Sequence, residues 1–222
     1  VTMSMHMPNF ALVAKKPKVG GRYDYAGYSP NVTSGDVVKR ILPGGDLNRV
    51  YTAYLDLVAD FLGRMQQADV PVIFRPFHEN NGSWFWWGEK LCTPEEYKAL
   101  WHMTVDTLQA KGVDNALYAY SPGTEPKDTT EYLKKYPGDE LIDVIGFDTY
   151  QFDRDAYLAG MDRALSIIDS VGKAHNKVIA VTETGYGGIP DAKWWTGTLL
   201  PALEKYPLAY VLVWRNAREK VT

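Results

Sequence analysis

The sequence predicts an α/β fold: a (β/α)8 barrel, of which about six strands fall within these 222 residues. Three observations carry this. Short apolar, β-branched segments alternate with amphipathic helical ones, the order of parallel βαβ units. The strand segments lack polar alternation, as strands buried on both faces do. Polar groups stand just past the end of each segment: His6, His78-Glu79, Ser121, Asp148 and Tyr150, Glu183, and Trp214-Arg215. A barrel delivers groups from many strand ends, whereas a doubly wound sheet gathers them at one switch point. No GxGxxG or GxxxxGK[ST] phosphate loop is present, and the Gly20-Gly21 and Gly44-Gly45 pairs fit neither.

Each element has its own signal. Val1–Met5 reads as a short strand. Residues 8–45, rich in Gly, Pro, Asn and Ser, read as a long loop with at most short ordered pieces. Asp46 is expected to cap a helix in which Leu47, Val50, Tyr51, Tyr54, Leu55, Val58, Phe61, Leu62 and Met65 recur at helical spacing. Val70–Phe77 is the next strand. Thr93-Pro94-Glu95-Glu96 forms a capping box with Pro at the first helical position, opening a helix to about Lys111. Ala116–Tyr120 is a strand and Thr129–Tyr136 a short helix stopped by Pro137-Gly138. Ile142–Phe147 is a strand, and Asp155 to about His175 a long helix with Leu158, Met161, Leu165 and Ile168 inward. Val178–Thr182 is a strand, Trp194 to Lys205 a helix, and Ala209–Trp214 the last strand.

A whole barrel has eight strands and eight helices. Two βα units at the front and the last helix at the back are therefore expected to lie outside the sequence. The chain opens inside a strand at Val1, so its true N-terminus is expected upstream. Residues 1–222 read as one domain with no repeat and no linker. The balance is ordinary for a globular protein, 45% hydrophobic and 23% charged. A net charge of −3 disfavours a nucleic-acid partner. No apolar run reaches the roughly 18 residues of a membrane span. Cys92 is the only cysteine, so no intrachain disulfide forms, and no triad pattern surrounds it.

The richest stretch is Arg75-Pro76-Phe77-His78-Glu79-Asn80-Asn81-Gly82-Ser83-Trp84-Phe85-Trp86-Trp87-Gly88. Glu79 leaves a buried strand beside His78 and is followed by four aromatic residues in a row. Desolvation in such a place raises a carboxyl pKa and keeps it protonated, as a general acid requires. The rings offer flat faces that stack on sugar C–H surfaces. The competing reading pairs Glu79 with Arg75 and sends the rings into the core. Four consecutive rings in an extended segment cannot all face one core, which argues against it. The second carboxylate, Glu183, ends the apolar run Val178–Thr182, and Gly185 permits a tight exit. It is a candidate nucleophile, or else a surface Glu at a strand end. Retaining glycoside hydrolysis asks for two carboxyl groups roughly 5–5.5 Å apart.

Other groups are set aside. His102 and His175 fall in or at the end of helices. His6, His78 and Glu79 lack any HExxH or i, i+4 ligand pair, so no metal is expected, nor any other cofactor. Lys15-Lys16-Pro17-Lys18 reads as solvated loop. Asn31-Val32-Thr33 and Asn81-Gly82-Ser83 are sequons, and a glycan on Asn81 would sit in the proposed cleft, which points to a bacterial host.

The RPFHENNGSWFWWG and VTETG stretches resemble the acid/base and nucleophile motifs of glycoside hydrolase family 26. That resemblance implies a retaining (β/α)8 glycosidase, in most members an endo-β-1,4-mannanase. The acid/base follows the fourth strand and the nucleophile the seventh, which makes Val1–Met5 the third. It implies Glu79 as acid/base, Glu183 as nucleophile, and His78 as the group orienting Glu79 or the sugar 2-OH region. Ser4-Met5-His6-Met7-Pro8-Asn9 is similar to the strand-three end, which places His6 in the sugar site. Gly146-Phe147-Asp148-Thr149-Tyr150 is similar to the strand-six end, where Tyr150 holds the nucleophile and Asp148 supports the site. Val213-Trp214-Arg215-Asn216 is similar to the strand-eight end, with Trp214 as the floor of the −1 sugar and Arg215 further along the glycone side. Trp84 matches the +1 aromatic, and Phe85 joins it as a substrate contact. Met5 departs from the family, where many relatives carry Trp. The implied partner is β-mannan, acted on by a monomer that is secreted, periplasmic or at the cell surface, although no targeting signal is visible. The alternatives are the same chemistry on mixed-linkage β-glucan or β-1,3-xylan, and a carbohydrate-binding relative without turnover.

Overall fold

A computed structural model of the chain describes residues 1–27, 30–123 and 126–214. Arg215 lies outside the described residues. The elements run β1 (Thr2–Ser4), α1 (Phe10–Val13), α2 (Val37–Ile41), α3 (Asn48–Gln67), β2 (Val72–Arg75), α4 (Pro94–Ala110), β3 (Ala116–Tyr120), α5 (Thr129–Leu133), β4 (Val144–Gln151), α6 (Arg154–His175), β5 (Val178–Tyr186), a π-helical turn (Trp195–Leu199), α7 (Leu200–Leu203) and β6 (Val211–Val213). The strands form one sheet in the order β1-β2-β3-β4-β5-β6, every neighbouring pair parallel. Sequential parallel order with a helical segment between consecutive strands is barrel topology. The described residues form six of a barrel's eight strands.

The alternation of side chains across the sheet explains why the wall curls. Phe74, Tyr118, Tyr120, Ile145, Phe147, Ile179 and Val181 belong to the main core with helix residues such as Leu62, Trp101, Val105, Met161 and Ile168. The opposite face is lined by smaller groups, Ala119, Val144 and Ala180 with Ile73 and Tyr210, which form a separate cluster. Large residues outside and small ones inside allow the strands to bend toward the barrel axis. Both faces are apolar, so periodicity along each strand is invisible in the sequence.

The predicted strands and helices are all present, with shifted edges. The Thr93 capping box forms as expected, with Thr93 Oγ1 accepting from Glu96 N at 3.1 Å and Thr93 N donating to Glu96 Oε2 at 2.9 Å. Asp46 is not a helix cap. Its carboxylate pairs with Arg40 Nε and Nη2 at 2.8 and 2.6 Å, and α3 starts behind Leu47 with no side-chain cap. The strong bidentate pair outcompetes the backbone N–H groups. The helix expected from Asp155 begins one residue earlier, at Arg154, with Asp153 capping it by accepting from Ala156 N at 2.9 Å. The Trp194–Lys205 helix is broken into the π turn and α7 because Pro201 has no N–H to give the Gly197 carbonyl. In the long N-terminal loop, Asn9 caps α1 and donates to the Val32 and Ser34 carbonyls at 2.6 and 2.9 Å. That one amide fixes the loop against β1.

Candidate active site

The register of the sheet assembles the site. Along β4 and β5, Phe147 is paired with Val181 but Asp148 with Glu183, so Thr182 is an extra residue in β5, a β-bulge. The bulge shifts β5 by one residue and places Glu183 beside Asp148 on the same face. Thr182 Oγ1 secures it by donating to the Phe147 carbonyl at 3.0 Å and to Asp148 Oδ1 at 2.8 Å.

Two buried carboxylates side by side require a cation. Arg75, at the end of β2, supplies it. Nη1 donates to Asp148 Oδ2 and Nη2 to Glu183 Oε2, each at 2.6 Å, and Nη1 also reaches Ser121 Oγ at 3.0 Å. Its side chain is 1% exposed. The Tyr150 hydroxyl donates to the other oxygen of Glu183, Oε1. Gly185 makes room for this. A Cβ there would lie 2.7 Å from the Trp214 carbonyl oxygen and 3.2 Å from the Tyr150 ring. Glu183 therefore has both oxygens held, one by a guanidinium and one by a phenol. Burial pushes the Tyr150 hydroxyl above its ordinary pKa, and the bond to Glu183 adds to this, so it remains a donor.

Glu79 sits in the opposite kind of environment. It follows β2 in a left-handed conformation with φ +54°, held by Glu79 N donating to the Ser121 carbonyl at 2.8 Å. For a residue with a side chain this conformation costs roughly 1–2 kcal/mol, so the surrounding structure imposes it. Gly123 is packed against it: a Cβ there would lie 2.8 Å from Glu79 Cβ and 2.9 Å from Cγ. Trp84 Nε1 donates to Glu79 Oε2 at 2.6 Å. Gly82 permits that contact, since a Cβ there would fall 2.3 Å from the Trp84 ring. Burial pushes the Glu79 carboxyl above the usual range, opposed by the Trp84 bond and reinforced by the charge on Glu183. Arg75 does not pair with Glu79, and the competing sequence reading fails on that point.

His6, after β1, and His78 stack with ring centroids 5.2 Å apart and an interplanar angle of 20°. Burial lowers the pKa of both, that of His78 well below normal with the Arg75 charge adding to it; Glu183 partly opposes the shift of His6. Both imidazoles are neutral near pH 7 and can donate and accept at once. Asp148 is fully enclosed, and burial raises its pKa against the pull of Arg75. Trp214, 45% exposed, meets Tyr150 edge-on at 6.3 Å.

The four-ring run divides. Trp84 is 41% exposed, whereas Phe85, Trp86 and Trp87 are 4%, 1% and 0% exposed. Phe85 is corrected from a substrate contact to a backing group: it packs on His6, His78 and Trp87 with centroids 5.2, 5.1 and 4.6 Å away. The argument from extended geometry failed because the segment is coiled. Gly82 N donates to the Glu79 carbonyl, Gly88 N to Phe85 and Glu89 N to Gly82, so consecutive rings turn inward. Lys135, with a side chain 2% exposed, clamps this coil, donating to the Asn80 and Gly88 carbonyls at 3.4 and 3.3 Å. Sequence reasoning missed Arg75 as a site member and Lys135 altogether. A charge inside an apolar strand was the available signal for Arg75. None marked Lys135, one lysine of the Lys134-Lys135 pair.

Among the described residues no group of three or more His, Cys, Asp or Glu side chains could hold a metal ion, and no helix is long and apolar enough to cross a membrane. Burial pushes the Cys92 thiol up to about 11 despite nearby Lys135, so it is not a thiolate nucleophile.

The profile of glycosyl hydrolase family 26 matches residues 1–219. A mannan endo-1,4-beta-mannosidase of Bifidobacterium adolescentis is 36% identical over 201 residues, covering 81% of this chain and 20% of that protein. The protein of the same name from Bacillus subtilis strain 168 is 30% identical over 204 residues, covering 86% of this chain and 52% of its own length. Among solved structures, a GH26 beta-mannanase from Bacteroides ovatus superimposes with a TM-score of 0.87 at 48% identity, covering 99% of this chain and 61% of that one. A modular endo-beta-1,4-mannanase from Cellulomonas fimi gives 0.82 at 38% identity, covering 97% and 48%. The chain thus spans from a fifth to about three fifths of these relatives, and its partial barrel overlays theirs. With a family match over nearly its whole length, and with Glu79 just after β2 and Glu183 in β5 of one parallel sheet, the chain belongs to glycosyl hydrolase family 26.

Proposed function

We propose that the protein is a retaining endo-β-1,4-mannanase. The observation that carries this reading is the opposed pair of environments: Glu79 raised above the usual carboxyl range by burial, and Glu183 gripped by Arg75 and Tyr150. One carboxyl is set to give a proton and the other to present an oxygen as an anion. A mannan chain binds across the strand ends. Glu79 protonates the glycosidic oxygen as Glu183 attacks the anomeric carbon, forming a glycosyl ester. Glu79, now ionised, takes a proton from water, which displaces Glu183. As Glu183 passes from carboxylate to ester, Tyr150 and Arg75 follow the change in charge. The exposed His6 contacts sugar hydroxyls, and the buried His78 backs it through the ring stack. Mannan as substrate is favoured by the names carried by the relatives in both comparisons. A polymer that cannot enter a cell brings with it a location outside the cytoplasm.

The test is sugar release from mannan by the purified full-length protein and its Glu183→Ala variant, with the product anomer followed by proton NMR. Turnover by the parent, none by the variant, and a β-anomer formed first are expected. Equal turnover in both, or none in either, overturns the enzyme reading. An α-anomer formed first overturns the retaining mechanism.

A further inference from the structure

The first turn after β4 carries an aromatic ring in open solvent. Phe152 is 94% exposed, more than any other large hydrophobic residue among those described. It is not stranded on a featureless surface. It lines a groove of about 420 Å³ together with Glu79, Trp84, Asp148, Tyr150 and Asp153. That volume lies within the range of small-molecule sites. Leaving so large an apolar face in water is unfavourable, so a ring that lines a groove invites a partner that covers it.

The groove fixes which partner. The proposed acid, Glu79, borders it, and the acid lies on the leaving-group side of the scissile bond. Neither His6, His78 nor Trp214 borders it, so it runs away from the part of the site assigned to the glycone. The backbone around Phe152 is anchored. Gln151 is still in β4 and accepts from Trp194 Nε1 at 2.7 Å, while Asp153 Oδ1 caps α6. A fixed backbone allows the ring to act as a platform without ordering a loop on binding.

We infer that Phe152 is a stacking platform for a sugar of the leaving-group portion of the chain, beyond the unit held at Trp84, with Asp153 beside it facing hydroxyls. It would give the enzyme a preference for long over short substrates. This rests on the proposed function for the identity of the sugar, and the test separates the two.

The affinity of the Glu183→Ala protein for mannohexaose and for mannobiose is measured by calorimetry, with and without Phe152→Ala or Phe152→Trp. Phe152→Ala is expected to weaken mannohexaose about tenfold, the effect of uncovering roughly half a phenyl side chain. It should leave mannobiose within twofold, because a disaccharide need not reach the ring, and Phe152→Trp should match the parent. Unchanged mannohexaose affinity in Phe152→Ala overturns the inference. So does an equal loss for both sugars, which would mark a general structural effect. Turnover is assayed separately on the protein with Glu183 intact. Its absence counts against the proposed reaction and leaves the binding comparison in force.

Discussion

Replacing Arg75 by Met tests the electrostatic logic of the site most directly. The guanidinium is bonded to Asp148 and Glu183 at 2.6 Å each, with side chains 1%, 0% and 10% exposed. Met keeps much of the volume and removes the charge. Two carboxylates then remain adjacent in the barrel interior with no cation. Breaking a buried ion pair costs about 3–5 kcal/mol. For a domain of this size each kcal/mol moves Tm by about 2–4 °C, so a loss of roughly 6–20 °C at pH 7 is expected. The loss must depend on pH. Burial raises the Asp148 carboxyl to about 8 in the parent against the pull of Arg75, and without the guanidinium it rises further. Such a group supports the fold below the unfolded pKa and withdraws that support as pH rises through the folded one. Asp148 contributes equally to parent and variant while it is protonated in both, so the gap should be smaller at pH 6 than at pH 9. Thermal unfolding followed by circular dichroism at the two values reads it. Adding Asp148→Asn removes the raised carboxyl and should recover the pH-dependent part of the deficit. An unchanged Tm at pH 7, or a deficit of the same size at every pH, refutes the reasoning and makes Arg75 a packing residue.

Four further outcomes follow from the geometry. Glu79→Ala should lower kcat on mannan by about 10²–10⁴, with a much smaller effect on first-step rates for aryl mannosides whose leaving group needs no proton, measured as burst kinetics. Because burial raises the Glu79 carboxyl, ionising it costs the folded state stability as pH rises. Glu79→Gln should thus melt at a higher temperature than the parent at pH 8 and at a similar one at pH 4. Gly123→Ala should lower kcat about a hundredfold by pushing Glu79 out of line, with little change in far-ultraviolet circular dichroism. Tyr150→Phe should lower kcat/KM about 10–100-fold, the worth of a hydrogen bond to a charged group.

Much of this arrangement was legible in the sequence because it lay in local signals. The capping box at Thr93 and the compact apolar strands gave the element order, whereas α5 ends at Leu133, short of the Pro137-Gly138 stop that the sequence suggested. Two motif stretches gave Glu79 and Glu183. What was lost depended on contacts between distant segments. Asp46 has the chemistry of a cap, and only the fold reveals Arg40 within reach. The ring run looked extended because the turns at Gly82 and Gly88 come from long-range packing against Lys135 and the His pair. Lys135 itself resembles any surface lysine until the coil closes over it.

The placement of Glu183 is the clearest case of a site made by register. In Val178-Ile179-Ala180-Val181-Thr182-Glu183 strict alternation puts Val181 and Glu183 on one face. Val181 packs in the outer core against the helices. A regular strand would carry Glu183 outward with it, into the apolar layer under α6. The bulge at Thr182 cancels that by one residue and turns Glu183 inward beside Asp148. Thr182 suits the position because its hydroxyl reaches both the Phe147 carbonyl and Asp148, satisfying polar groups that the broken ladder would leave open. Thr182→Val, of similar shape, would remove both bonds and the reason for the bulge. Its cost should fall on the position of Glu183 before it falls on the fold.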